Sequence, residues 1–124
     1  MLRDAQLIAF VPVTSLETAR SFYEGTLGIE VVEESPFALV LNAGGTSLRL
    51  ARIDAVTPQP FTIVGWRVSD ILASIAALDD QGVAVIRFDG LQQDDTGVWT
   101  TPGGDRVAWF HDPDGNTLSI TEFA

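Results

Sequence analysis

Short apolar runs and amphipathic stretches alternate along this chain, and their order occurs twice. The runs Ile8–Val13 and Ile63–Val68 each predict a strand, and each leads directly into a stretch whose apolar residues lie three and four positions apart. That spacing places the apolar residues on one face of a helix. Gly28 and Gly82 follow the two stretches, and a glycine after a helix commonly provides the left-handed residue that ends it. The pattern therefore predicts a strand followed by a helix, twice.

Both predicted helices begin at residues that can cap them. Thr14 followed by Glu17 fits a capping box, in which each side chain binds an unpaired backbone amide of the first turn. In the second copy, Ser69 or Asp70 can accept such a bond.

Each half of the chain then continues with a further strand and closes with a hairpin. The further strands are predicted at Ile29–Glu33 and Val83–Phe88, and the hairpins at residues 37–50 and 107–120. The second hairpin turns at Asp112-Pro113-Asp114-Gly115-Asn116, residue types that suit tight turns. The order is thus strand, helix, strand, strand, strand in both halves.

This order predicts an α+β protein made of two βαβββ modules, at about residues 1–56 and 61–124, within a single domain over residues 1–124. Pro58-Gln59-Pro60 is the short link between the modules. The prolines and glycines between Gly90 and Gly104 predict a longer, mobile loop in the second module.

Composition narrows the classes of function. The chain has 124 residues, of which 46% are hydrophobic, and a formal net charge of −10. Because nucleic-acid binding depends on lysine and arginine neutralising phosphates, we expect no nucleic-acid partner. No apolar run approaches the roughly 20 residues needed to span a bilayer, so we expect no membrane partner. The absence of cysteine agrees with a reducing compartment, and we expect a cytoplasmic protein.

Two motifs carry a family resemblance. Ser21-Phe22-Tyr23-Glu24-Gly25-Thr26-Leu27-Gly28 and Asp112-Pro113-Asp114-Gly115-Asn116, together with the repeated βαβββ order, resemble the vicinal oxygen chelate superfamily. That superfamily includes glyoxalase I, bleomycin-resistance proteins and extradiol dioxygenases. The resemblance covers nearly the whole chain. It implies that each module curls into a half barrel, that the half barrels pair around a cavity, and that the protein is a homodimer.

The same resemblance implies four cavity-facing positions at which the enzymes of the superfamily place His or Glu as metal ligands. In this chain the positions correspond to Ile8, Arg49, Ile63 and Ser119. Hydrocarbon, guanidinium and a neutral hydroxyl are unsuitable ligands for a catalytic divalent ion. We therefore expect no metal site and no cofactor.

Other reactive side chains have simpler interpretations. His111, the only histidine, could be a general base, but a position at the exposed end of a strand is the interpretation we favour. Asp112 and Asp114 could bind a cation, although capping of the turn accounts for them. Tyr23 lies on the apolar stripe of the first helix, which indicates packing.

Alternation along the strands suggests the lining of the cavity. The predicted ligand-binding residues are Phe10, Arg49, Arg67, Trp99 and Ser119. Trp99 lies in the predicted loop and could act as a lid. An apolar lining with two arginines suits a mostly apolar molecule, with an anionic group as an open option. Pairing of Arg49 and Arg67 with internal carboxylates is the competing interpretation.

Three functions remain open at this point. The first is a glyoxalase/bleomycin-resistance-like protein that binds a small organic molecule without a metal. The second is an enzyme, such as a lyase, isomerase or dioxygenase, whose site is atypical. The third is a scaffold module without a ligand.

Overall fold

The structure is a computed structural model that describes every residue from Met1 to Ala124. Eight strands and two α-helices follow one another, and a π-helical turn extends the first helix. The elements are β1 Ile8–Val13, α1 Leu16–Arg20, the π-helical turn Ser21–Thr26, β2 Glu30–Glu34, β3 Ala38–Ala43, β4 Thr46–Arg52, β5 Val64–Arg67, α2 Ile71–Asp80, β6 Trp99–Thr100, β7 Arg106–His111 and β8 Thr117–Glu122. Neither α-helix has the length and apolar character that a membrane span requires.

The chain divides into two compact units, Met1–Thr57 (unit 1) and Pro58–Ala124 (unit 2). Each unit contains one four-stranded mixed sheet, in the order β1-β4-β3-β2 for unit 1 and β5-β8-β7-β6 for unit 2. In both sheets the first strand pairs in parallel with the last strand, and the other pairs are antiparallel. The predicted α+β class and the repeated βαβββ order are therefore confirmed.

The parallel strand pairs of the two units have the same register. Phe10 of β1 lies opposite Arg49 of β4, and Gly65 of β5 lies opposite Ser119 of β8. Arg49 and Ser119 thus occupy equivalent positions in the two sheets. Alternation along a strand then assigns equivalent residues of both units to equivalent faces.

The first helix begins one residue later than predicted. The N-cap is Ser15, whose hydroxyl accepts a hydrogen bond from the backbone N–H of Thr18 at 3.2 Å. The helix then widens into the π-helical turn. Gly28, with a φ of 73°, follows that turn in the left-handed region that glycine adopts without strain.

Two carboxylates accept backbone N–H groups in the first turn of the second helix. The carboxylate of Asp70 accepts the N–H of Ala73 at 3.1 Å, and the carboxylate of Glu122 accepts the N–H of Ile71 at 2.9 Å. Glu122 belongs to the last strand, so this bond ties β8 to the start of α2. Asp70 is one of the two predicted caps, and the alternative, Ser69, is not used.

Unit 2 departs from the prediction in the strand between α2 and β7, which forms the edge of the sheet. Residues 83–88 do not form a strand, although the N–H of Ile86 donates to the carbonyl of Trp109 at 2.8 Å. Strand β6, which pairs with β7, instead lies inside the stretch predicted as a loop. Strand β7 is therefore bonded at this edge by two segments, β6 and the residue Ile86.

A helix covers one face of each sheet. In unit 1, Val11, Leu39, Leu48 and Leu50 are buried on the face that also carries the helical residue Tyr23. In unit 2 the corresponding residues are Ala108, Phe110, Leu118 and Ile120, with Ile71 and Leu78 of α2. These layers form the two apolar cores, and they confirm that Tyr23 packs.

The turn between β7 and β8 is organised by the buried Asp112. Its carboxylate accepts the backbone N–H groups of Asp114 and Asn116, both at 2.9 Å, and the side-chain amide of Asn116 at 2.8 Å. Gly115 adopts a φ of 83°. Asp112 therefore builds the hairpin turn, as capping predicts.

Asp112→Ala is expected to destabilise the protein by about 2–3 kcal/mol, because it leaves the buried amides of the turn without an acceptor. The measurement is the free energy of unfolding in urea. Asp54→Ala is the control, since Asp54 is exposed and should change stability by no more than about 0.5 kcal/mol. Equal effects of the two substitutions would contradict this account of the turn.

Candidate functional site

Each sheet has a second face, which points away from its helix. We call this the open face. In unit 1 it carries Ile8, Phe10, Pro12, Val40, Ser47 and Arg49, because these residues alternate with the buried ones along paired strands. Phe10 is 62% exposed and Ile8 is 46% exposed. A groove of about 580 Å³ lies at one end of this face, near the turn between β3 and β4, and is lined in part by Ile8, Val32, Val40 and Ser47. Phe10 and Arg49 lie outside the groove.

Arg49 is the charged residue at the centre of the open face of unit 1. It lies between its strand partners Phe10 and Val40. Its Nε is buried and has no hydrogen-bond partner. The four ion pairs of the chain involve Arg3, Arg20 and Arg106, so Arg49 is paired with no carboxylate even though the chain has 17 of them.

The open face of unit 2 is aromatic. Trp99 and Trp109 lie with their ring centroids 6.2 Å apart, and Phe88 meets the Trp109 ring edge-to-face at 5.2 Å. The indole N–H of Trp109 donates to the hydroxyl of Thr62 at 2.9 Å, which fixes the plane of that ring. Trp66 is different, because it lies on the helix-covered face and stacks on Phe110 at 6.4 Å.

Ser119 lies between Trp109 and Gly65 on this open face. Ser119 is only 7% exposed, and its hydroxyl makes no hydrogen bond. Gly65 leaves the space above that hydroxyl free, since a Cβ at this position would lie 2.6 Å from the Ser119 Oγ.

Arg67 lies near the end of the same face, opposite Thr121. Its guanidinium carbon is 5.2 Å from the ring centroid of Phe123, a cation–π contact. Arg67 also forms no ion pair with a carboxylate. The competing interpretation from the sequence, internal pairing of both arginines with acids, is therefore wrong.

Hydrogen bonds of two side chains order the segment that carries Trp99. The amide of Gln93 donates to the carbonyls of Ile86 and Gly97, both at 2.8 Å, and accepts the N–H of Phe88 at 2.8 Å. The Asp94 carboxylate accepts the N–H of Val98 at 3.0 Å. Trp99 thus belongs to a strand held by a hydrogen-bonded loop, and not to the irregular loop that the sequence predicted.

The hydrogen bonds of Asp94 also change its acidity. The hydroxyl of Thr96 and the backbone N–H groups of Val98 and Thr96 stabilise the carboxylate and lower its pKa below the ordinary value. The pKa of Arg20 is also shifted: it is raised, chiefly by the hydrogen bond of Arg20 to Glu24. This pair lies on the first helix and outside the open face.

The structure brings the predicted site residues into two groups. Phe10 and Arg49 share the open face of unit 1, and Arg67, Trp99 and Ser119 share that of unit 2. Three residues that contact one another at the open face of unit 2, Trp109, Thr62 and Phe88, are not among the five ligand-binding residues predicted from the sequence. The signal for Trp109 was its two-residue spacing from Val107 in β7, which places both on the open face.

The acidic and imidazole groups do not cluster. No group of three or more His, Cys, Asp or Glu residues is arranged to hold a metal ion. His111 is exposed at the end of β7, which agrees with its simpler interpretation.

A sequence model of the Glyoxalase/Bleomycin resistance protein/Dioxygenase superfamily matches residues 6–120. The chain belongs to this superfamily. The family predicted from the two motifs is thereby confirmed. A comparison with curated proteins found no match.

Solved structures of this superfamily share the fold. A glyoxalase family protein from Bacillus anthracis has a TM-score of 0.76 at 19% identity, covering 98% of this chain and 96% of its own. Lactoylglutathione lyase from Agrobacterium tumefaciens has a TM-score of 0.75 at 18% identity, covering 96% and 93%. TnmS3, an antibiotic binding protein from Streptomyces sp. CB03234, has a TM-score of 0.73 at 29% identity, covering 100% and 99%.

Asp94→Asn is expected to lower stability in a pH-dependent way. Because the pKa of Asp94 is lowered by folding, its charge contributes stability above the carboxyl pKa of the unfolded chain, about 4. That contribution is lost as the pH falls through the lower pKa of the folded state. The measurement is the difference in unfolding free energy between wild type and variant from pH 7 to pH 2.

The expected difference is largest at pH 7 and shrinks below about pH 4. Asp95→Asn is the matched control, since Asp95 is the exposed neighbour with no side-chain hydrogen bond. A difference that stays constant over the whole range would contradict the role given to the Asp94 charge.

Proposed function

We propose that this protein binds a small, mostly apolar organic molecule against its open sheet faces, without a catalytic metal. The observation that carries the proposal is that each open face combines apolar or aromatic side chains, exposed in unit 1 and half-buried in unit 2, with a polar side chain that has no partner in the protein. Ligand sites are typically apolar surfaces with a few convergent polar groups of this kind. The proposed contact residues are Phe10, Arg49, Arg67, Trp99 and Ser119.

The four positions that correspond to the metal ligands of the superfamily's enzymes support a metal-free site. Arg49 and Ser119 occupy equivalent places in β4 and β8. A guanidinium repels a cation, and a neutral hydroxyl binds one weakly, whereas a catalytic zinc site needs three strong protein ligands and an open position. Ile8 and Ile63 offer hydrocarbon alone.

The unpaired guanidinium of Arg49 supports the proposal that the ligand carries an anionic group. Its buried Nε donor is unsatisfied, and an unmet buried donor costs about 1–3 kcal/mol. A carboxylate beside this guanidinium would form charge-assisted hydrogen bonds, which are stronger than neutral ones. Phe10 next to Arg49 supplies apolar surface for the rest of the molecule.

A further support comes from TnmS3, which is named an antibiotic binding protein and is 29% identical over the whole chain. Antibiotic binding is therefore a function found on this fold. The proposal includes residues 1–124 acting as a single domain, a homodimer and a cytoplasmic location. The exposed Leu7 and Ile8 support the dimer, since they are apolar surface that a partner could cover.

Arg49→Met is expected to weaken binding of an aromatic carboxylate by about tenfold or more, because a charge-assisted hydrogen bond contributes about 1.5–3 kcal/mol. The probe is 2-naphthoate, and the measurement is its dissociation constant by calorimetry. Arg52→Met is the control. It removes the same charge from the same strand, at an exposed residue on the other face.

Equal losses in Arg49→Met and Arg52→Met would indicate a long-range charge effect and contradict the anion site. The same purified protein should also keep its affinity for 2-naphthoate after dialysis against EDTA. Stoichiometric zinc, nickel, iron or manganese that is required for binding would contradict the metal-free proposal and favour an enzyme with an atypical site.

A further inference from the structure

The open face of unit 2 contains a glycine that the backbone does not require. Gly65 lies inside strand β5 and does not have a positive φ. Glycine in a strand interior is destabilising relative to residues with a side chain, and it often marks a place where another group approaches the backbone closely. The equivalent position in unit 1 is Phe10, so the repeat itself accepts a large side chain here.

The space left by Gly65 leads to the Ser119 hydroxyl. A Cβ at residue 65 would lie 2.6 Å from the Ser119 Oγ, which is shorter than a normal non-bonded contact. Any side chain at residue 65 would therefore displace this hydroxyl or cover it. Gly65 thus keeps a notch above Ser119, and Trp109, the other strand neighbour of Ser119, forms its opposite wall.

The hydroxyl at the base of the notch has its hydrogen-bonding capacity free. Ser119 is 7% exposed, yet its Oγ neither donates nor accepts a hydrogen bond within the protein. The Nε of Arg49 is the one fully buried side-chain donor or acceptor without a partner, so the Ser119 Oγ remains accessible at the base of the notch. The Trp109 indole N–H cannot be the partner, because it already donates to Thr62.

We propose that Gly65 and Ser119 form a specificity notch that recognises an oxygen substituent on the edge of a flat aromatic ligand. This inference rests on the proposed function, and it specifies which polar group of the ligand unit 2 recognises. The ring of the ligand lies against the aromatic surface of Trp99 and Trp109, and its hydroxyl or carbonyl oxygen enters the notch and exchanges a hydrogen bond with Ser119. Gly65 and Ser119 act as binding residues and take part in no covalent step.

The test compares two probes that differ in one oxygen atom, 2-naphthol and naphthalene. Their dissociation constants are measured by equilibrium dialysis against the wild-type protein and three variants. Wild type should bind 2-naphthol about 2- to 12-fold more tightly than naphthalene, the range expected for one neutral hydrogen bond. Ser119→Ala should remove this preference, so that the ratio of the two dissociation constants falls to about one.

Gly65→Ala should weaken binding of 2-naphthol specifically, because its methyl group fills the notch from the other side. Thr121→Ala is the matched control, since it removes a hydroxyl two residues further along the same face of β8 and should keep the preference. Circular dichroism and thermal unfolding of each variant establish that it is folded.

Three outcomes would overturn parts of this account. A preference for 2-naphthol that survives in both Ser119→Ala and Gly65→Ala would refute the notch. Equal binding of both probes by wild type would also refute it but would leave the proposed function intact. Binding of neither probe, nor of 2-naphthoate, would contradict the proposed function itself.

Discussion

The parallel pairing of the first and last strand in each unit is the constraint on which the rest of the structure depends. It sets Phe10 opposite Arg49 and Gly65 opposite Ser119. Since side chains alternate along a strand, one register fixes both faces of each sheet. A slip of one residue would place Leu48 and Leu50 on the open face and bring Arg49 under the first helix, where a charge without a partner is costly.

The two faces of each sheet consequently have different roles. The helix-covered face is filled by aliphatic and aromatic residues that hold the unit together, and the open face keeps polar groups that the protein does not satisfy. Four of the seven arginines form no ion pair with a carboxylate, and Arg49 differs from the other three because its Nε is buried without a hydrogen-bond partner. No carboxylate lies within ion-pair distance of Arg49, because its strand partners Phe10 and Val40 are neutral and Glu33 lies one strand further away, opposite Val40.

Much of the fold was accessible from the sequence because it rests on local signals. Each of these signals involves only a few neighbouring residues: an apolar run, a glycine that ends a helix, or the turn at Asp112. Together they predict the order of strands and helices in both units. The strand predicted at Val83–Phe88 is wrong because an apolar run shows that a segment is buried without showing that its backbone finds a partner. Strand β6 lies in a stretch rich in glycine and proline, where local patterns give no sign of pairing with β7.

The candidate site was predictable in part, for the same reason. Alternation places Phe10, Arg49 and Ser119 on one kind of face, but the partners of a side chain depend on residues far away in sequence. The pairing of Arg67 with Phe123, and the bond from Trp109 to Thr62, join residues 56 and 47 positions apart. The empty space at Gly65 likewise depends on two strands, because it lies between Gly65 of β5 and the side chain of Ser119 in β8.

The indole N–H signals of the three tryptophans offer the most direct test of the two-face account. The measurement is a titration of the protein with 2-naphthoate and 2-naphthol, followed by proton–nitrogen correlation spectra. The account predicts shifts of the Trp99 and Trp109 signals, which report on the open face of unit 2, with little change at Trp66 under the second helix. Shifts confined to Trp66, or no shift at saturating concentrations of either compound, would contradict it.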